Sequence, residues 1–194
     1  ATGGMHWLDT CNFLSAGSEC DWNNALDGND DRRGAWCDSS SGAVTTLDLR
    51  LNNLTGPLPD EMTLLSKLVE VNLAGNGLVG TTPPSIGNLS KLELLDLGYN
   101  DITGTLPEIL GQMSSLRILW TGGTKIHGTI TSSIGKLERL ESLALGEMSL
   151  TGTVPESFGD LRNLRFLSLS VNMLTGTVPS SALYGLVRLE HLLL

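Results

Sequence analysis

Aromatic residues are scarce in this chain, at 5% of its 194 residues, and basic ones are outnumbered. Twelve lysines and arginines stand against 21 aspartates and glutamates, for a net charge of −9. The first shortage leaves a core to be built from aliphatic side chains. The second excludes nucleic acid and anionic membrane surfaces as partners, because neither attracts a protein of that sign. No apolar run approaches the roughly 20 residues that a bilayer span needs, so no direct membrane insertion is expected of these residues. The three histidines, His6, His127 and His191, are scattered, and no nucleophile–base pair or metal-ligand spacing accompanies them. No catalytic group, cofactor or metal is therefore expected. The chain starts at Ala1 without a signal-type apolar stretch, which reads as a processed or partial form. It stops on RLEHLLL with apolar residues uncovered, which leads to the expectation that more chain follows.

What the sequence has in abundance is repetition. LELLDLGYNDITGTLPEILGQMSS, residues 92–115, nearly reproduces itself when shifted by one period in either direction. The copies span 44–67, 68–91, 92–115, 116–139 and 140–163; a sixth, 164–188, is one residue longer, and 189–194 holds the first strand of a seventh. A fixed period in the twenties with Leu, Val or Ile in fixed slots signals stacked coils forming one continuous domain. Slots one, four and six alternate apolar residues inward, as in a short strand. Slot nine carries Asn52, Asn76, Asn100 and Asn172, suited to an amide ladder between coils, with Thr124 and Met148 in the fourth and fifth copies. Thr supplies part of that bonding and Met none, so a looser turn is expected at Met148. A Gly-x-hydrophobic-Pro stretch then turns the chain, and segments such as PEILGQM read as short helical or 3-10 turns. The fold class that follows is an α/β solenoid: a right-handed superhelix with a parallel sheet on its concave side and short helical or 3-10 turns on its convex side.

Residues 1–43 do not follow the repeat and hold all three cysteines and three of the four tryptophans. They read as an N-terminal disulfide cap over the first coil's exposed leucines. The favoured pair is Cys20 with Cys37, in Cys-Asp-Trp and Trp-Cys, leaving Cys11 free or paired elsewhere; three reduced cysteines in a cytosolic chain are the alternative. Asp27, Asn29 and Asp31 alternate as in a calcium loop, but the sixth-position Gly and closing Glu are missing, so a solvated loop is the reading.

The pattern L-x-x-L-x-L-x-x-N-x-L-x-G-x-I-P-x-x-L-G-x-L-x-x closely resembles the plant-specific class of leucine-rich repeats. C-D-W followed by W-C, ahead of the first copy, resembles the N-terminal caps of plant and algal extracellular proteins of that class. The resemblance covers Cys20 to the end and departs from the pattern at the long inter-cysteine loop, at Thr124 and Met148, at Thr131 in place of Pro, and in having no C-terminal cap. It implies a secreted or cell-surface recognition module, with roles such as receptor ectodomain or wall-enzyme inhibitor.

Stacked coils turn equivalent slots into columns at about 4.8 Å spacing. Slot two gives Glu93, Arg117, Glu141, Arg165 and Glu190, an alternating charge ladder with a structural reading. Slots three, five and eight bring Leu94, Ile118, Phe166, Trp120 and Tyr99 together on the concave face, beside glycines, as the candidate ligand-binding patch. Asp48, Glu70, Asn72 and Asp96 flank it. The acids suggest a paired-carboxylate hydrolase, but an open face with no accompanying base or nucleophile argues against turnover. The expected partner is a protein, peptide or glycan. Two other readings stand: a permanent subunit of a larger assembly using the same patch, and an ice-binding surface made by Thr-x-Thr columns around each turn glycine, such as Thr103, Thr105, Thr151 and Thr153. Asn53-Leu-Thr and Asn88-Leu-Ser are glycosylation sequons, expected on exposed turns.

Overall fold

A computed structural model describes residues 34–194 of the chain. Its backbone is a solenoid in which each coil contributes one short strand to a main sheet. The strands are β1 (Gly34–Cys37), β2 (Val44–Asp48), β4 (Glu70–Asn72), β6 (Leu94–Asp96), β7 (Ile118–Trp120), β9 (Ser142–Ala144), β11 (Phe166–Ser168) and β13 (His191–Leu193), adjacent in that order. All pair in parallel except β1, which runs antiparallel to β2 and gives the sheet a different edge. A serine-rich turn joins these two strands. Asp38 Oδ1 accepts the Ser41 N–H at 2.8 Å and the Ser41 hydroxyl at 2.8 Å. Hydrogen bonds from the Ser40 and Ser41 side chains lower the Asp38 carboxyl to about 2. Of the expected cysteine pair, Cys37 ends β1, while Cys20 lies outside the described residues, as do Cys11 and the Asp27–Asp31 loop.

The slot pattern explains the core. Leu92, Leu95 and Leu97 of one coil, like Leu116 and Leu119 of the next, are almost fully buried and join a continuous aliphatic column. Apolar residues three apart on the far side, such as Ile86 and Leu89, complete it. They ride on 3-10 turns at Asp60–Leu64, Pro84–Asn88, Glu108–Gln112, Ser132–Lys136 and Glu156–Asp160. Each turn closes with an i→i+3 bond, as from the Met62 N–H to the Pro59 carbonyl. The one extra residue of the sixth copy changes the turn type. There the Leu183 N–H reaches the Pro179 carbonyl, i→i+4, and a short helix α1 (Ser180–Gly185) replaces the 3-10 turn. Proline precedes each of these elements but one; Thr131 stands in by accepting the Ser133 N–H on its own hydroxyl at 3.2 Å.

The amide ladder forms at Asn76, Asn100 and Asn172. Asn100 Nδ2 donates to the Leu73 carbonyl of the preceding coil and the Leu97 carbonyl of its own, both at 2.9 Å. Its Oδ1 accepts the Leu78 N–H at 3.0 Å. One expectation needs correcting. Asn52 is exposed rather than a rung of the ladder, and contributes its backbone N–H to Asn76 Oδ1. At Met148 a different contact occupies the ladder position. Met148 is buried, and its sulfur accepts the Thr121 hydroxyl at 3.7 Å while Thr124 donates to the Thr121 carbonyl at 2.8 Å.

Two smaller sheets flank the main one: β3 (Thr55–Pro57) with β5 (Gly77–Val79), and β8 (His127–Thr129), β10 (Ser149–Gly152) and β12 (Met173–Leu174). Their register differs from that of the main sheet. Thr129 faces Thr151, and Thr81 bridges to Thr103, so the residue after one coil's glycine meets the residue before the next coil's. No helix among the described residues is long and apolar enough to cross a membrane.

Candidate ligand-binding face

On the main sheet the columns run in phase. Asn72 pairs with Asp96, Asp96 with Trp120, and Trp120 with Ala144. Trp120 therefore stands between an acid and an alanine, and the small side chain leaves space on one side of the indole. Trp120 is 37% exposed, and its Nε1 donates to Ser142 Oγ at 2.8 Å, which holds the ring's orientation.

Glycines make the space beside Trp120. A Cβ on Gly98 would lie 3.1 Å from the Gly122 carbonyl oxygen, and one on Gly122 would lie 3.0 Å from that of Gly146. A side chain at either position would press on the neighbouring coil's carbonyl, and with glycine at both the strip beside the indole is bare backbone. One slot further on, the backbone adopts a left-handed conformation in successive coils, with φ of +53° at Tyr99, +70° at Gly123 and +55° at Glu147. The Tyr99 ring drapes over Gly123: a Cβ there would fall 2.6 Å from Tyr99 Cδ1. The alternation of large residue and glycine at this slot is thus a packing pair between coils, and it leaves Tyr99 65% exposed.

Tyr99, Trp120 and Phe166 surround a groove of ≈ 370 Å³ whose floor includes Gly122, Ala144 and Gly146. Three of the five residues expected in the patch meet there. Leu94 and Ile118 are half-buried in the neighbouring column, paired with each other and with Ser142. Phe166 belongs to that column yet reaches the groove, with His191 beyond it at a ring separation of 6.4 Å. Among the flanking polar residues, Asp96 lines the groove, Asp48 and Asn72 continue its column away from Trp120, and Glu70 lies one column over, opposite Leu94.

Asp96 is buried, which was not foreseen. Its Oδ1 accepts the Gly98 N–H at 2.9 Å. Burial pushes its carboxyl above the ordinary value; the Gly98 N–H opposes this, the Asp48 charge adds to it and the Arg50 charge subtracts. Ser142 and Glu147 were likewise missed as parts of the site, although the slot alignment already places them beside Trp120, whereas the neighbouring glycines were expected there.

The charge ladder forms along one edge. Arg117 bridges Glu93 at 3.5 Å and Glu141 at 2.9 Å, and Arg165 meets Glu190 at 3.3 Å. The Arg117 hydrogen bond holds the Glu141 carboxyl below its usual value. These pairs are solvent-exposed and organise the edge rather than the groove. Among the described residues no group of three His, Cys, Asp or Glu could hold a metal ion. Asn53 and Asn88 are both exposed, Asn88 at the end of a 3-10 turn.

Family profiles described as leucine-rich repeat match residues 43–65, 67–89, 91–113 and 138–194. The receptor kinase SOBIR1 ectodomain from Arabidopsis thaliana is 30% identical, with 86% of this chain and 94% of that one covered and a TM-score of 0.70. The plant peptide hormone receptor RGFR1, solved in complex with RGF2, is 36% identical over 77% of this chain and 24% of its own, at a TM-score of 0.75. A plant ice-binding protein is 25% identical over 89% of this chain and 58% of its own, at a TM-score of 0.71. No sequence among curated proteins matches. The chain belongs to the leucine-rich-repeat family, in its plant type. It spans about a quarter or less of the first receptor ectodomains it matches.

Proposed function

We propose that this chain is a non-catalytic, extracellular recognition module that holds an extended peptide or protein segment against the concave face of its main sheet. The observation that carries the reading is the convergence of Tyr99, Trp120 and Phe166 around a groove floored by backbone glycine, on a rigid in-phase sheet. Exposed aromatics around a preformed hollow supply apolar contact at low entropic cost. RGFR1, a plant peptide hormone receptor that shares this coil architecture, was solved in complex with RGF2, and its resemblance supports a peptide as the occupant. The Cys20–Cys37 bridge expected from the sequence, and glycan attachment at Asn53 and Asn88, belong with the same extracellular reading.

Peptides selected on the wild-type chain from a random display library provide the test. Trp120→Ala should weaken their binding by roughly thirtyfold or more. Its melting temperature should move by less than about 4 °C, since the lost packing is partly solvent-exposed. Parallel losses of binding and fold would refute the reading, as would full affinity in the variant.

A second reading is favoured by the side sheet and by the likeness to a plant ice-binding protein. Thr81, Thr105, Thr129 and Thr153 are exposed, and each sits with its methyl group against the next coil's glycine. Such seating fixes the side chain as a regular array requires. His127, Val79 and Met173 interrupt the array. Thermal hysteresis that disappears in Thr129→Lys would establish this reading; none in the wild type would end it.

A further inference from the structure

The groove has a charge asymmetry that the aromatic patch alone does not explain. Two carboxylates, Asp96 and Glu147, line it, and no lysine or arginine does. Glu147 is exposed, but Asp96 is only 7% exposed. One of its oxygens, Oδ1, holds the Gly98 N–H at 2.9 Å. Among the described residues no hydrogen-bond donor reaches the other, Oδ2. A buried carboxylate oxygen without a donor is costly, and chains place one where a ligand will satisfy it. Arg50 is drawn to Asp48 at 3.5 Å, two rungs away.

Beside this carboxylate stands the indole of Trp120, its register partner on the adjacent strand, about 4.8 Å away across the sheet. The Ser142 hydroxyl fixes the indole N–H, and the glycine strip admits a flat group alongside it. A carboxylate next to an anchored indole recognises one chemistry well: a planar cation that stacks on the ring while donating paired N–H groups to oxygen. Lysine offers a point charge and no plane, and so uses half of what the site provides.

We propose that Asp96 and Trp120 form a specificity pocket for an arginine side chain of the bound peptide, with Asp96 Oδ2 receiving the guanidinium and Trp120 stacking against it. The proposal rests on the concave-face reading and adds the ligand's chemical class. Tyr99 and Phe166 then contact the residues flanking that arginine, and the net charge of −9 favours the approach of a cationic partner.

The test uses acetylated, amidated heptapeptide pools with a fixed central residue and random flanks, titrated against the full chain by fluorescence anisotropy. The central residue is arginine, lysine or citrulline, the last keeping arginine's shape without its charge. The arginine pool should bind at least about tenfold tighter than the citrulline pool and tighter than the lysine pool. Asp96→Asn, which retains an acceptor for the Gly98 N–H, should erase that preference, so that the arginine and citrulline pools bind the variant alike. Trp120→Ala should weaken all pools. Equal binding of the arginine and citrulline pools to the wild type, still sensitive to Trp120→Ala, overturns the arginine proposal and leaves concave-face recognition intact. Lysine matching arginine also overturns it. Binding of every pool that ignores Trp120→Ala, or of none, defeats the concave-face reading itself.

Discussion

Replacing Asn100 with alanine probes the amide ladder where it is most fully buried. The side chain makes three bonds that matter: to the Leu73 carbonyl, to the Leu97 carbonyl and from the Leu78 N–H. Their loss is unequal. The Leu73 carbonyl also accepts from Asn76 Nδ2 at 2.8 Å, so it keeps a donor. The Leu97 carbonyl and the Leu78 N–H have no second partner among the described bonds, and both are buried. Each orphaned buried group costs roughly 1–3 kcal/mol, so the pair costs about 2–6 kcal/mol. At roughly 2–4 °C per kcal/mol for a chain of this length, the thermal midpoint should fall by roughly 5–20 °C. Thr124→Ala orphans one carbonyl, that of Thr121, and should cost about half as much. Asn52→Ala, at an exposed position, should stay within about 0.5 kcal/mol of wild type. Circular dichroism melts rank the three variants, and hydrogen exchange of the Leu78 amide localises the damage. An Asn100→Ala chain that melts like Asn52→Ala, with Leu78 exchange unchanged, would refute the ladder as a stabilising device.

Two further outcomes follow from the groove. Gly123→Ala puts a Cβ 2.6 Å from the Tyr99 ring at a φ of +70°, so the backbone strain alone costs about 1–2 kcal/mol. The ring must also leave the groove, so peptide affinity should drop along with the melting temperature; affinity retained at wild-type level would show that Tyr99 is not a contact. Asp96→Asn should raise stability at neutral pH. Burial holds the folded carboxyl above its unfolded value of about 3.9, so between the two the folded state keeps the extra proton, and stability falls as pH rises through that window. Above it the charge is a standing cost that asparagine removes, with Asp48 and Arg50 the charged groups that modulate it. The variant's advantage should be largest near pH 7 and vanish near pH 3; a variant less stable than wild type at pH 7 contradicts the burial argument.

How much of this could be read before the structure depended on which residues keep a constant phase from coil to coil. In the main sheet the repeat length equals the pairing offset, so Asp96 lies opposite Trp120, and the aliphatic column and charge ladder followed from alignment alone. At each turn glycine the chain instead pairs two residues out of phase, Thr129 with Thr151, and the threonine columns drawn by simple stacking are not the columns that form. Burial of Asp96 was hidden for a related reason. A concave-face slot reads as solvated, as Asp48 and Asn72 in the same column suggest, and both are more open than Asp96. What sets Asp96 apart is the interruption of that column by a single tryptophan beside it; the bond from the Gly98 N–H is shared, since Asp48 and Asn72 accept the same bond from the Arg50 and Ala74 N–H groups. The repeat therefore specifies the scaffold through what stays the same in every coil. The candidate site arises where one coil departs from the others, and the consequence of a departure depends on its neighbours in the stack. That is why the groove's aromatic residues could be named from the sequence while the state of its central carboxylate could not.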